Sequence, residues 1–147
     1  MKEAFYSDIN CTSIILRNLI ENSIRFRNHD SKTRFIDVIF EEIENKMVKI
    51  IIRDNGVGFD SDNINTFFDY TSLNHNGLSN KGVGLYIVQK VIEKLKGALK
   101  INSKINEGTE FIIYLPDASK KTNHAQRIVE NEVVFPSRDE LVLDYLH

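Results

Sequence analysis

Apolar positions keep a helical period between Asp8 and Arg27. At about 100° per residue, Leu16, Leu19, Ile20 and Ile24 share one half of a helix, with Phe26 at its edge. Asn18, Asn22 and Arg25 fall in one narrow sector opposite, Asn22 lying towards the border, and Asp8 or Asn10 is placed to cap the helix. The period then drops to two. Ile36, Val38 and Phe40 alternate with Asp37 and, less strictly, Glu41, and Val48, Ile50 and Ile52 alternate with Lys49 and Arg53. Two strands joined through Glu44-Asn45-Lys46 are predicted.

From about Asp60 to Asn80 no period survives, and Asn, Ser and Asp surround Phe67, Phe68 and Tyr70. A loop this long inside a compact domain is usually functional, often a lid. A second helix is predicted from Gly84 to Lys96, with Val88, Val91, Ile92 and Leu95 as its buried stripe and Gly97 as a C-cap glycine. Strands follow over Leu99 to Lys104 and Glu110 to Leu115, the latter closed by Pro116. This order predicts an α+β fold: a two-layer α/β sandwich with a mixed, mostly antiparallel sheet, helices on one face and a flexible lid. Residues 1–116 form the predicted domain and 117–147 an extension or linker.

Composition narrows the classes. The charge balance of 19 Lys+Arg against 21 Asp+Glu, with pI ≈ 6.1, argues against a general nucleic-acid binder. The lone Cys11 excludes an internal disulfide framework and suits a reducing, cytoplasmic setting. No apolar run reaches the roughly 20 residues of a spanning helix, so no membrane contact is expected of this segment. All seven glycines lie between Gly56 and Gly108, which concentrates special backbone geometry in the middle of the chain.

Three motifs carry candidate chemistry. On the first helix, Asn18 and Asn22 at i and i+4 can offer amide oxygens to a hard cation such as Mg²⁺, and Arg25 can meet a phosphate; the same residues also suit a solvated polar face. Asp54-Asn55-Gly56-Val57-Gly58 follows an apolar strand. Its carboxylate can accept from an exocyclic amine and its glycines let a flat ring approach, although Asp-Asn-Gly is also ordinary turn chemistry. Lys81-Gly82-Val83-Gly84-Leu85 opens the second helix, where backbone N–H groups, close-approach glycines and a lysine suit an anion, or simply turn a loop into a helix. It is no dinucleotide fingerprint, because Ile87 stands where a third glycine would be needed, and no P-loop pattern occurs.

Taken in order and spacing, these motifs resemble the ATP-binding catalytic domain of sensor histidine kinases, within the gyrase, heat-shock-chaperone and histidine-kinase ATPase superfamily. The resemblance covers roughly Tyr6 to Pro116. It implies that Asn22 ligates Mg²⁺ with Asn18 near the metal or its water, that Arg25 contacts phosphate, and that Phe26 packs near the nucleotide. It further implies that Asp54 bonds the adenine amino group beside Gly56 and Gly58, with Thr109 completing the purine end. Phe67 and Tyr70 resemble the lid aromatics, and Lys81, Gly82, Val83, Gly84 and Leu85 the phosphate loop. The cofactors implied are ATP and Mg²⁺. The partners implied are a histidine-bearing dimerisation and phosphoacceptor domain and, downstream, a response regulator.

Departures from the family refine this expectation. Asn18 stands where the superfamily's hydrolases place a water-activating glutamate, which favours transfer to a histidine. A strand usually precedes the first helix, yet almost no chain precedes Asp8; either this is an excised piece or something else completes the sheet edge. None of His29, His75, His124 and His147 has a phosphoacceptor's sequence setting, so the acceptor histidine and its base are expected from outside. In the tail, Val133 to Phe135 can be a strand docked on that edge, or part of a linker. Competing functions are a nucleotide-binding regulatory module without kinase activity and an anti-sigma-type serine kinase.

Overall fold

The structure is a computed structural model that describes residues 6–60, 62 and 83–118. Helix α1 spans Ile9–Arg25 and is capped by Asp8, whose carboxylate accepts from the Cys11 N–H at 3.0 Å. That hydrogen bond holds the Asp8 carboxyl below its ordinary pKa. The buried row of α1 is Cys11, Ile15, Leu19 and Ser23, each four residues after the last. Burial raises the Cys11 thiol's pKa, so this cysteine is a packing residue rather than a reactive thiolate.

This row corrects the expectation for Ile24, which is half exposed instead of lying in the core. Steps of four residues drift by about 40° per turn, so the contact line ends on Ser23 and leaves Ile24 beside it.

Strands β1 (Ile36–Ile43) and β2 (Met47–Asp54) form the expected hairpin, turning through Asn45 and Lys46 at positive φ. Helix α2 (Val83–Lys94) precedes β3 (Ala98–Lys104) and β4 (Gly108–Pro116). The described sheet has the order β1-β2-β4-β3 and every pairing is antiparallel. Register places Ile50 opposite Ile113 and Ile52 opposite Phe111, with Leu99 and Ile101 completing the rows. Against this face pack Ile15 and Leu19 of α1 and Leu85, Val88, Val91 and Ile92 of α2. Ile50 is wholly buried, so Ile50→Val is expected to cost about 1 kcal/mol, read as a lower urea midpoint at unchanged slope.

Val38 and Phe40 lie on the same face, opposite Ile52 and Ile50, but are 38% and 47% exposed because the core formed by α1 and α2 covers β2, β4 and β3 and leaves these two outside it. At the end of α2 the left-handed residue is Lys96 (φ 56°), not Gly97. Gly97 follows it, donating to the Ile92 carbonyl at 2.9 Å, and its role is space: a Cβ there would meet the Tyr114 carbonyl oxygen at 2.5 Å. Among the described residues no helix is long and apolar enough to cross a membrane. The lid with Phe67 and Tyr70, Lys81 and Gly82, and the tail with Val133 to Phe135 lie outside the described residues.

Candidate functional site

The end of β2 and the beginning of β4 meet the C-terminal turn of α1. Register pairs Asp54 directly with Thr109, and both are buried at 8% exposure. A buried carboxylate needs donors. Ser23, itself 4% exposed, donates its hydroxyl to Asp54 Oδ2 at 2.7 Å, and the Gly56 N–H donates to Asp54 Oδ1 at 2.8 Å. The chain then folds back beneath α1, the Val57 N–H donating to the Phe26 carbonyl at 2.9 Å. Space here is short: a Cβ on Gly56 would come within 2.5 Å of that carbonyl oxygen, and Gly58 turns at φ +59° against the Lys104 carbonyl.

A hydroxyl pair lies beyond Thr109. Ser103 Oγ is 2.9 Å from Thr109 Oγ1, donates to the Gly108 carbonyl oxygen at 3.0 Å and accepts from the Phe59 N–H at 3.0 Å. Asp54 also borders two open clefts. One of about 330 Å³ runs beside Ser23, Ile24 and Gly56, and one of about 340 Å³ beside Ser103, Gly108 and Thr109.

The first and third motifs also meet. Asn18 Nδ2 donates to the Ile14 carbonyl at 2.8 Å, which turns its Oδ1 towards the start of α2. A Cβ on Gly84 would lie 3.0 Å from that oxygen, so the first turn of α2 sits directly on Asn18. Val83 opens the helix and Leu85, one residue beyond Gly84, anchors it in the core. Asn22 is half buried one turn after Asn18, whereas Arg25 and Phe26 are exposed at the end of α1. Phe26 therefore contributes its backbone carbonyl to the site's frame while its ring faces outward. Among the described residues no three His, Cys, Asp or Glu side chains gather as a metal cluster. The amide oxygens that Asn18 and Asn22 carry on α1 suit a hard cation such as Mg²⁺ better than a softer metal.

Ser23 and Ser103 were not among the residues singled out by sequence. The available signal for Ser23 was its position four residues after Leu19, on the row begun by Cys11 and Ile15. Ser103 carried no signal beyond its place in a strand.

Comparison with known proteins agrees with this fold. Residues 8–119 match the model of the "Histidine kinase-, DNA gyrase B-, and HSP90-like ATPase" family. A probable C4-dicarboxylate sensor kinase of Halalkalibacterium halodurans is 34% identical over 104 residues, covering 70% of this chain and 19% of that protein. The protein of the same description in Bacillus subtilis is 30% identical over 112 residues, covering 76% and 21%. This chain thus spans about a fifth of the length of these curated relatives. Among solved structures, full-length ShkA in complex with AMPPNP aligns with a TM-score of 0.63 at 21% identity, over 76% of this chain and 22% of that one. The mycobacterial sensor histidine kinase MprB aligns at 0.62 and 22% identity, over 75% and 72%.

Proposed function

Because the chain belongs to the histidine kinase-, DNA gyrase B- and HSP90-like ATPase family, we propose that it is the Mg²⁺·ATP-binding catalytic domain of a two-component sensor histidine kinase. The observation that supports this most is the buried Asp54 carboxylate, held by Ser23 and Gly56 opposite Thr109. It is an acceptor fixed at the mouth of a cleft, suited to the amino group of adenine. Asn18 and Asn22 would offer amide oxygens to Mg²⁺, and the first turn of α2, seated on Asn18 through Gly84, would receive phosphate oxygens. Bound Mg²⁺ would neutralise charge on the phosphates; the residues of this chain bind and orient the nucleotide.

The reaction proposed moves the γ-phosphoryl group to an imidazole nitrogen. The bond from phosphorus to the β–γ bridging oxygen breaks, a P–N bond forms, ADP leaves and the imidazole loses its N–H proton. The accepting histidine belongs to a dimerisation domain outside this chain, and a response regulator takes the group onward. His29, exposed in the loop after α1, has no part in it. The setting proposed is cytoplasmic.

The test is to supply such a histidine-bearing domain with this chain and γ-labelled ATP. The expected product is label on the acceptor domain that is acid-labile, alkali-stable and Mg²⁺-dependent. Binding of ADP without any transfer would favour a regulatory nucleotide module, acid-stable label a serine kinase, and no nucleotide binding by the folded chain would overturn the proposal.

A further inference from the structure

We propose that Ser23 is a positioning residue that makes this site selective for a 6-amino purine. The inference rests on the nucleotide reading above and goes beyond it to a residue and a specificity. Its basis is the network at the base end of the site. Asp54 receives one donor on each oxygen, Ser23 Oγ–H on Oδ2 at 2.7 Å and the Gly56 N–H on Oδ1 at 2.8 Å. The Gly56 bond spans two residues of one turn and by itself leaves the carboxylate free to rotate about that contact. The Ser23 bond ties the other oxygen to a different element, α1, at a point where both residues are buried. Two donors from two elements fix the plane of the carboxylate.

A fixed carboxylate has remaining lone pairs in fixed directions. A 6-amino group donates to them, whereas a 6-oxo group sets oxygen against oxygen. Thr109 does not supply that preference. Ser103 Oγ donates its one proton to the Gly108 carbonyl at 3.0 Å, so in the 2.9 Å Ser103–Thr109 pair Thr109 is the donor and is left with lone pairs alone, which do not favour a 6-amino purine. Discrimination between purines therefore falls to Asp54, and its sharpness to the second donor. Ser23 needs no contact with the base to exert this effect.

The experiment is calorimetric titration of the chain with ADP and with inosine diphosphate, both with Mg²⁺, in wild type, Ser23→Ala and Ser23→Thr, with thermal unfolding of each protein. Wild type should prefer ADP. Ser23→Ala should narrow the ADP-to-IDP affinity ratio about tenfold by weakening ADP alone, and Ser23→Thr, which keeps the hydroxyl, should retain the ratio. An equal fall for both nucleotides in folded Ser23→Ala would reduce Ser23 to a structural role and overturn the inference. If Ser23→Ala does not fold, the threonine variant decides, and loss of the ratio there overturns it too. A wild type that binds neither nucleotide would instead overturn the nucleotide reading, a result distinct from a wild type that binds ADP and an alanine variant with an unchanged ratio.

Discussion

Replacing Asp54 by asparagine is expected to lower ADP affinity by roughly 10- to 100-fold while leaving a folded domain. The amide nearly matches the carboxylate in shape, so the loss comes from hydrogen-bond polarity. Ser23 O–H and Gly56 N–H are both donors aimed at Asp54, one at each oxygen. An amide has a single acceptor oxygen, so its NH₂ must face one of these donors, and the adenine amine would be a third donor competing for what remains. The hydroxyl of Ser23 can rotate away but the Gly56 N–H is fixed by the backbone. The amide oxygen is therefore expected to turn towards Gly56 and present its nitrogen to Ser23. Leaving a buried group mispaired also costs about 1–3 kcal/mol of stability, visible as a lowered thermal midpoint. Unchanged ADP affinity in folded Asp54→Asn would remove this residue from the nucleotide site.

Much of this frame was legible from period alone. Among the described residues, strands β1 to β4 and helices α1 and α2 lie where alternation and helical spacing placed them, because a one-sided core forces those periods on the sequence. The hairpin at Asn45 and Lys46 was legible from its turn residues. The assignment of individual side chains failed where the third dimension decides. Val38 and Phe40 alternate as Ile50 and Ile52 do, and only the packing of α1 and α2 over the other described strands reveals that they lie outside the core. Ile24 satisfies the helical wheel, yet the buried row of α1 runs through Ser23 and leaves it half exposed. At the end of α2, a glycine after a helix suggested the left-handed position, but the chain spends its positive φ on Lys96 and uses Gly97 for clearance beside Tyr114.

The candidate site shows the same division. Asp54 and Thr109 were named separately, and their direct pairing follows from the register of β2 on β4. Asn18 and Gly84 came from motifs 66 positions apart, and the structure seats one on the other. Ser23 was passed over because a serine inside an apolar row reads as a tolerated small residue. Its importance depends on what lies across the interface, and a helical wheel holds no information about that.

Gly108→Ala is expected to have the largest effect on folding, a destabilisation on the order of 3 kcal/mol or more. Gly108 opens β4 at φ +108°, a conformation that side chains strain to adopt, and a Cβ there would lie 2.1 Å from the Asp54 carbonyl oxygen and 2.9 Å from Asn55 Cα. These neighbours are backbone atoms at the end of β2, so no side-chain rotation relieves the clash. The start of β4 must move off β2, which pulls Thr109 out of register with Asp54 and opens the base end of the site. Nucleotide affinity is therefore expected to fall together with stability, even at temperatures where the variant is folded. Asn106→Gly in the same β3–β4 turn supplies the contrast: Asn106 already sits at φ 65°, so that change should stay within about 0.5 kcal/mol of wild type. Denaturant unfolding of the two variants, each followed by ADP titration, decides the matter. A Gly108→Ala protein with the wild-type midpoint and affinity would show that β4 does not approach Asp54 this closely.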